Sequence, residues 1–175
     1  AHMSDIFQLF MTGEYTVGYP IRSGATITVD ANVLYGTPFI VARPMTIDRL
    51  AVNVTTLGAG LARLGIYNNG TNLYPGTLLL DAGTIDVSAT GVKTVTISQA
   101  LSRGIYWLAI VSNIAFSATM WNPGLALIGL GTSLNDLQGR WLPAFTYAAL
   151  PTPFTAAGSS DGNGSCVFAR VLTLD

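Results

Sequence analysis

The sequence has almost no histidine, cysteine or lysine, and each shortage excludes a class of function. Its single histidine is His2, and because residues 1–3 resemble the remnant of an expression tag, we expect the protein proper to begin at Ser4. Without an imidazole, neither a Ser-His nor a Cys-His nucleophile can form, and a metal site with histidine ligands is excluded. Most hydrolase mechanisms are thereby removed, and no cofactor motif is present.

The lone cysteine and the lone lysine exclude two further classes. Cys166 has no second cysteine with which to form an internal disulfide, so we predict that it is a small core residue. Lys93 is the only lysine and the net charge is −1, so the sequence lacks the basic patch that phosphate contacts require. We therefore expect no binding of nucleic acid.

Charge of either sign is scarce. Only 10% of the 175 residues are charged and 50% are hydrophobic, whereas an ordinary soluble domain has about 25% charged residues. Two explanations are open: Thr, Ser, Asn and Gly cover the surface, or apolar surface is buried between subunits, and we expect both. The uncharged segment Gly104–Asn135 is interrupted by polar residues and turns, so we expect no membrane insertion. The length fits one domain, residues 4–175.

Short β-branched segments dominate the chain, and turn residues recur about every eight to twelve positions, as in a sandwich or barrel. We therefore predict an all-β protein, an antiparallel sandwich with little or no helix. The predicted strands are Ala25–Val29, Pro38–Ala42, Ile47–Thr55, Ala62–Tyr67, Thr77–Leu80, Lys93–Ile97, Gly104–Val111, Phe116–Met120 and Cys166–Leu172. Residues 132–164 are predicted to form long loops that pack against the sandwich.

Two strands carry information about their surroundings. Alternation in Leu50–Val54 predicts one buried face and one wet face. In Ile105–Val111 both faces are apolar, so this strand is covered on both sides, either by the second sheet plus a loop or by a neighbouring subunit. If a subunit covers it, the interface residues are Tyr106, Leu108 and Ile110.

Aromatic side chains are the candidate ligand-binding residues. Rings of Tyr and Trp offer apolar platforms on which sugars can stack, and four of them are our candidates. They are Tyr67, Tyr74, Trp121 and Trp141, whereas Trp107 is predicted to be internal. The alternative is that these rings anchor the core or a subunit interface, as large aromatics often do in a charge-poor β-protein.

Acidic residues offer weaker candidates. Asp161 and Asn163, in the run DGNGS, place oxygen donors at alternate positions as a calcium loop does, but the distal glutamate is missing. A plain turn is the competing interpretation, and we predict no metal site. A glycosidase would need two carboxylates in one cleft. Because each aspartate lies near a turn or strand end, where it can bond local backbone, we predict that the protein is not an enzyme.

One set of segments resembles a known module. The segments are Gly36–Thr55 (GTPFIVARPMTIDRLAVNVT), Arg63–Tyr67 (RLGIY), Tyr74–Leu78 (YPGTL), Asp81–Thr84 (DAGT), Ala89–Val92 (ATGV) and Gly104–Ala109 (GIYWLA). In order and spacing they are similar to a β-sandwich module of structural and tail-fibre proteins of tailed bacteriophages and prophages. The resemblance covers about Gly36 to Val111.

The resemblance implies a non-enzymatic, jelly-roll-like sandwich on a virion, assembled in the bacterial cytoplasm, commonly as a homotrimer among other virion proteins. It also allows the chain to be the C-terminal part of a longer fibre protein. Three functions follow as hypotheses. The first is the head or tip domain of a tail fibre that attaches to host-surface polysaccharide. The second is a capsid decoration or a collar or plug component that binds no receptor, and the third is a polysaccharide depolymerase.

Overall fold

The computed structural model describes residues 11–124, 128–130, 137–156 and 158–175, so His2 and Ser4 lie outside the described residues. The protein is all-β, with 64% of the described residues in β-structure, and no helix occurs in the described part. The strands are β1 (Tyr15–Thr16), β2 (Ile21–Val29), β3 (Tyr35–Val41), β4 (Met45–Thr56), β5 (Leu61–Asn69), β6 (Pro75–Asp86), β7 (Gly91–Leu101), β8 (Gly104–Ser112), β9 (Phe116–Pro123), β10 (Gly129–Leu130), β11 (Leu137–Gln138), β12 (Arg140–Leu142), β13 (Ser159–Asp161) and β14 (Phe168–Leu174).

The strand order is that of a jelly roll. Strand β2 pairs with β9, β3 with β8, β4 with β7 and β5 with β6, always antiparallel. This nested pairing gives two packed sheets, one containing β2-β9-β4-β7 and the other β3-β8-β5-β6. We call them the β4 sheet and the β8 sheet. The prediction of an antiparallel sandwich is confirmed.

Alternating side chains of β4 build the core between the sheets. Leu50, Val52 and Val54 are buried there, whereas Asn53 points to the outer face of the β4 sheet. Ala51 also points outwards but is buried, because strand β14 lies beside it with Phe168 opposite. The face predicted to be wet is therefore partly covered.

Strand β8 is covered on both faces by its own chain. Leu108 and Ile110 point into the core between the sheets, and Tyr106 packs against that core from the side. On the opposite face, Trp107 lies under Phe154, from the segment that precedes β13. The second sheet and a loop cover the strand, so the expectation that Leu108 and Ile110 form a subunit interface is corrected. Tyr106 is half-buried, and its part in an interface stays a prediction.

Strand β4 meets two different neighbours along one of its edges. Its first half, Met45–Ala51, pairs with β14, whereas Val54 and Thr56 pair with β9. Strands β9 and β14 therefore diverge like a fork, and short β1 extends the sheet beyond β14. This fork positions the candidate site. Among the described residues, no helix has the length and apolar character needed to cross a membrane.

Candidate functional site

A groove opens on the outer face of the β4 sheet where β9 and β14 diverge. Three aromatic side chains form its walls: Tyr15 from β1, Phe168 from β14 and Trp121 from β9. Further lining residues include Asn53, Thr119, Val92 and Ile21. We call this feature the fork groove. It has two adjoining lobes, of about 390 and 290 Å³, and the three aromatic side chains line both lobes.

Three of the eight exposed large hydrophobic residues in the described part of the chain line this groove. Tyr15 is 41% exposed, Ile21 is 52% exposed and Val92 is 64% exposed, although each has a large hydrophobic side chain. Scattered exposed hydrophobic residues are normal, but a contiguous apolar patch rimmed by polar groups marks a binding site. The fork groove is therefore a candidate binding site.

Two features position Trp121 at the groove: a hydrogen bond to its backbone carbonyl oxygen, and a glycine that leaves room beneath its ring. The Tyr19 hydroxyl donates to the Trp121 carbonyl oxygen (2.8 Å) and accepts from the amide of Ser165 (2.6 Å). Burial raises the pKa of Tyr19 well above its usual value, so the hydroxyl stays protonated and able to donate. Beneath the indole ring lies Gly24 of β2, the cross-strand partner of Trp121. The indole is thus oriented before any ligand arrives.

Two polar side chains lie between the aromatic walls. The Asn53 side-chain amide donates to the Thr119 hydroxyl oxygen at 2.9 Å. In that arrangement the Asn53 carbonyl oxygen is an acceptor and the Thr119 hydroxyl proton is a donor, and no described hydrogen bond uses either group. An apolar groove with a few fixed polar groups is typical of small-molecule sites.

The four aromatic residues predicted from the sequence fall into two places. Trp121 lies at the fork groove, whereas Tyr67, Tyr74 and Trp141 lie together on the outer side of the β8 sheet. Tyr67 is fully buried, contacts Phe154 edge to face and donates its hydroxyl to the Pro151 carbonyl oxygen (2.8 Å). The expectation that Tyr67 meets a ligand is corrected, because its ring has no exposed face.

Tyr74 and Trp141 form a half-buried aromatic pair beside that cluster. Their ring centroids are 5.0 Å apart, and the Trp141 indole donates to the carbonyl oxygen of Leu73. The Tyr74 hydroxyl donates to Thr155 and accepts from the amide of Gly158. The Tyr74 hydroxyl and the Trp141 indole N–H are both hydrogen-bonded to backbone within the chain. The pair therefore connects loops to one another and has fewer free polar groups for a ligand than the fork groove has.

The loop between β5 and β6 has an unusual backbone. Asn72 and Leu73 both have positive φ, 54° and 50°, which is uncommon for asparagine and rare for leucine. The bond from Trp141 to the Leu73 carbonyl oxygen helps to hold this conformation.

Asp161 and Asn163, the weak metal candidates, are engaged by an arginine. Arg140, 3% exposed, donates to both carboxylate oxygens of Asp161 at 2.8 Å, and Asn163 donates to the same carboxylate. Burial raises the pKa of Asp161, but these hydrogen bonds outweigh it and hold the pKa below its usual range. The guanidinium occupies the position that a cation would take. No group of three or more His, Cys, Asp or Glu able to hold a metal occurs among the described residues.

Other carboxylates are paired in the same way. Asp81 bonds Arg63 through both oxygens, and Asp48 bonds Arg170. Cys166 is buried, and burial raises the pKa of its thiol to about 11, so the reactive thiolate is scarce at neutral pH.

Sequence reasoning missed most of the fork groove. Tyr15, Phe168, Asn53 and Thr119 were not singled out, although Asn53 lies on the predicted wet face of its strand. The sequence does contain one indication of Phe168: Val167-Phe168-Ala169 is apolar on both faces, which indicates a strand whose outer face is also covered by protein or ligand. No signal places Tyr15, because β1 has only two residues.

Comparison with known proteins adds no relative: no protein-family model and no curated protein sequence matches the chain.

Proposed function

We propose that this chain is the attachment domain of a bacteriophage virion appendage, and that it binds host-surface saccharide in the fork groove. The observation that carries the proposal is the convergence of Tyr15, Trp121 and Phe168 on one exposed groove around Asn53 and Thr119. Aromatic faces bind the C–H faces of sugars, and amide and hydroxyl groups match sugar hydroxyls. Jelly rolls are common in viral capsid proteins and lectins, which supports the proposal by analogy of fold.

The resemblance to phage virion proteins agrees with this placement of the groove. The similar segments span β3 to β8, which include most of the β8 sheet and the centre of the β4 sheet. Trp121, Tyr15 and Phe168 lie outside them, on strands added by the two flanking regions. In this view the shared segments form a scaffold that also contributes Asn53 and Val92 to the groove, and the flanking regions add its three aromatic walls.

Binding without cleavage is part of the proposal. Cleaving a glycosidic bond needs two carboxyl groups about 5 to 10 Å apart at the scissile bond. No residue that lines the fork groove carries a carboxylate. The nearby Asp48 is bonded to Arg170, which leaves it poorly suited to act as a proton donor, because that contact holds its pKa below the usual range.

Assembly as a homotrimer is proposed on the resemblance. Two long strands at one side of the sandwich, β6 and β7, each have one edge without a partner among the described residues. Such edges are suited to contact between subunits, and they replace β8 as the candidate surface. Light scattering across a dilution series should give three times the chain mass, and a monomer that is stable on dilution would contradict the trimer.

A pair of tryptophan variants tests the binding site. Purified protein is mixed with a panel of bacterial surface polysaccharides, and wild type is compared with Trp121→Ala and Trp141→Ala. Loss of one aromatic platform removes about 1.4 kcal/mol, so Trp121→Ala should weaken binding about tenfold. Trp141→Ala, which removes a half-buried indole from the other sheet, should bind like wild type. Equal binding by wild type and Trp121→Ala, or no binding to any polysaccharide, would contradict the proposal.

A further inference from the structure

We infer that the fork groove selects an uncharged oligosaccharide segment of at least two sugar rings, and that Asn53 and Thr119 determine which one. This inference rests on the proposed function and names the class of ligand. It follows from the shape of the groove, from the absence of charge on its walls and from the two polar groups that line its smaller lobe.

The shape indicates more than one ring. Pockets for small ligands have volumes of about 300 to 1,000 Å³, and the larger lobe, with about 390 Å³, is within that range. The second lobe, with about 290 Å³, is close to it and shares Tyr15, Trp121 and Phe168 with the first. A ligand can therefore occupy both lobes with consecutive rings and contact the same aromatic walls on the way.

The walls favour an uncharged ligand. None of the residues that line either lobe is charged. Arg170 pairs with Tyr15 in the sheet, but its guanidinium is already bonded to Asp48. Lys93 follows Val92, and alternation along β7 turns it away from the groove. A uronic or sialic acid would lose water around its carboxylate here without gaining a cation, and burying an unpaired charge is unfavourable.

Two further arginines lie near the groove without lining either lobe: Arg22, and Arg49, which shares the outer face of β4 with Ala51 and Asn53. Arg22 follows Ile21 at the edge of the sheet but is not part of either lobe. An exposed arginine at the rim contributes little to affinity compared with groups inside a groove.

Asn53 and Thr119 are placed to read hydroxyl groups. Asn53 lies on β4, at the apex of the fork, and its bond to Thr119 fixes the direction of both side chains. The pair presents one acceptor and one donor, which matches sugar hydroxyls that both donate and accept. A site built around such groups discriminates strongly against ligands that leave them unpaired. We assign specificity to this pair and platform contact to Trp121.

The experiment is a binding panel sorted by charge and length. Its members are neutral and uronic-acid-containing oligosaccharides of one to four rings, prepared from bacterial surface polysaccharides, and binding is measured by calorimetry. We expect the tightest binder to be neutral and to bind at least tenfold more tightly than its constituent monosaccharides. Asn53→Ala and Thr119→Val should each weaken that binder at least fivefold and change the ranking of neutral members. Thr26→Val is the matched control, because Thr26 is the cross-strand partner of Thr119 and lies outside the groove. It should change neither the affinity for the tightest binder nor the ranking of neutral members.

The outcomes separate this inference from the proposed function. If acidic members bind most tightly, or if a monosaccharide binds as well as any longer member, the inference is overturned while saccharide binding stands. If Asn53→Ala and Thr119→Val leave affinity and ranking unchanged, their role in specificity is overturned. If no member of the panel binds, the proposed function fails together with the inference.

Discussion

The indole of Trp121 rests on the bare backbone of Gly24. The two residues are cross-strand partners in the β2–β9 pair, and a Cβ atom on residue 24 would lie 3.1 Å from Cζ3 of the indole. Such a contact is tighter than usual, so the ring would have to shift by a few tenths of an ångström, and a larger side chain would displace it further. The absence of a side chain at residue 24 therefore leaves room for the indole in its present position.

Replacing Gly24 with valine should displace the indole without unfolding the protein. Valine suits an exposed edge strand, so we expect the free energy of unfolding to change by less than about 1 kcal/mol. Saccharide affinity should fall about fivefold or more, as measured by calorimetry. Thr28→Val, on the same face of the same strand but away from Trp121, is the control and should keep full affinity. Wild-type affinity in Gly24→Val would show that the position of the indole is unimportant.

Tyr67 should matter for stability and not for binding. Tyr67→Phe removes the hydroxyl that donates to Pro151 and should lower the free energy of unfolding by about 1 kcal/mol. Chemical denaturation measures this loss. Tyr106→Phe, at a half-buried tyrosine whose hydroxyl has no hydrogen bond described, should cost less. Loss of saccharide binding in Tyr67→Phe would restore the residue as a ligand contact.

Breaking the ion pair between Arg140 and Asp161 should strongly lower the free energy of unfolding. Asp161→Asn leaves the buried guanidinium of Arg140 without its counter-charge. We expect a loss of about 2 to 4 kcal/mol in unfolding free energy, at the lower end of the range for buried pairs because Asp161 is partly exposed. Asp86→Asn, at an exposed carboxylate, should give a denaturation curve close to that of wild type. An unchanged curve for Asp161→Asn would contradict the stabilising role of the pair.

The same pair should make stability depend on pH in the acid range. Because the pKa of Asp161 is held low in the folded protein, its contribution is present above the ordinary pKa of aspartate, near 4. It is lost as the pH falls through the lower folded value, since the unfolded chain takes up the proton first. The free energy of unfolding, measured by denaturation from pH 6 to pH 2, should therefore fall more steeply below about pH 4. The fall should be smaller for Asp161→Asn. Parallel profiles for the two proteins would rule out this linkage.

Much of the fold could be predicted from local patterns. Each of the nine predicted strands overlaps an observed strand, because β-branched residues and turn dipeptides report local backbone preference directly. Seven lie wholly inside one, whereas Pro38–Ala42 runs past the end of β3 and Cys166–Leu172 begins before β14. Alternation also placed Leu50, Val52 and Val54 in the core. The strands between residues 137 and 161 were missed, since short segments such as β12 and β13 depend on neighbours far away in the sequence.

The site was less accessible to such reasoning. The fork groove exists because β9 and β14 diverge along β4, and that depends on pairing between strands more than 60 residues apart. Composition singled out Trp121 but equally singled out Tyr67, and only burial separates a ring on the surface from one in the core. Leu108 and Ile110 show the same limit, because an apolar strand does not reveal whether its cover comes from its own chain.

Tryptophan fluorescence tests the central claim, ligand contact at Trp121, most directly. The chain has three tryptophans, and Trp107 is fully buried. Wild type, Trp121→Phe and Trp141→Phe are each titrated with the surface oligosaccharide that wild type binds most tightly. We predict that the ligand-induced change in emission persists in Trp141→Phe and disappears in Trp121→Phe. A change that persists in Trp121→Phe and disappears in Trp141→Phe would contradict the claim that the fork groove is the binding site.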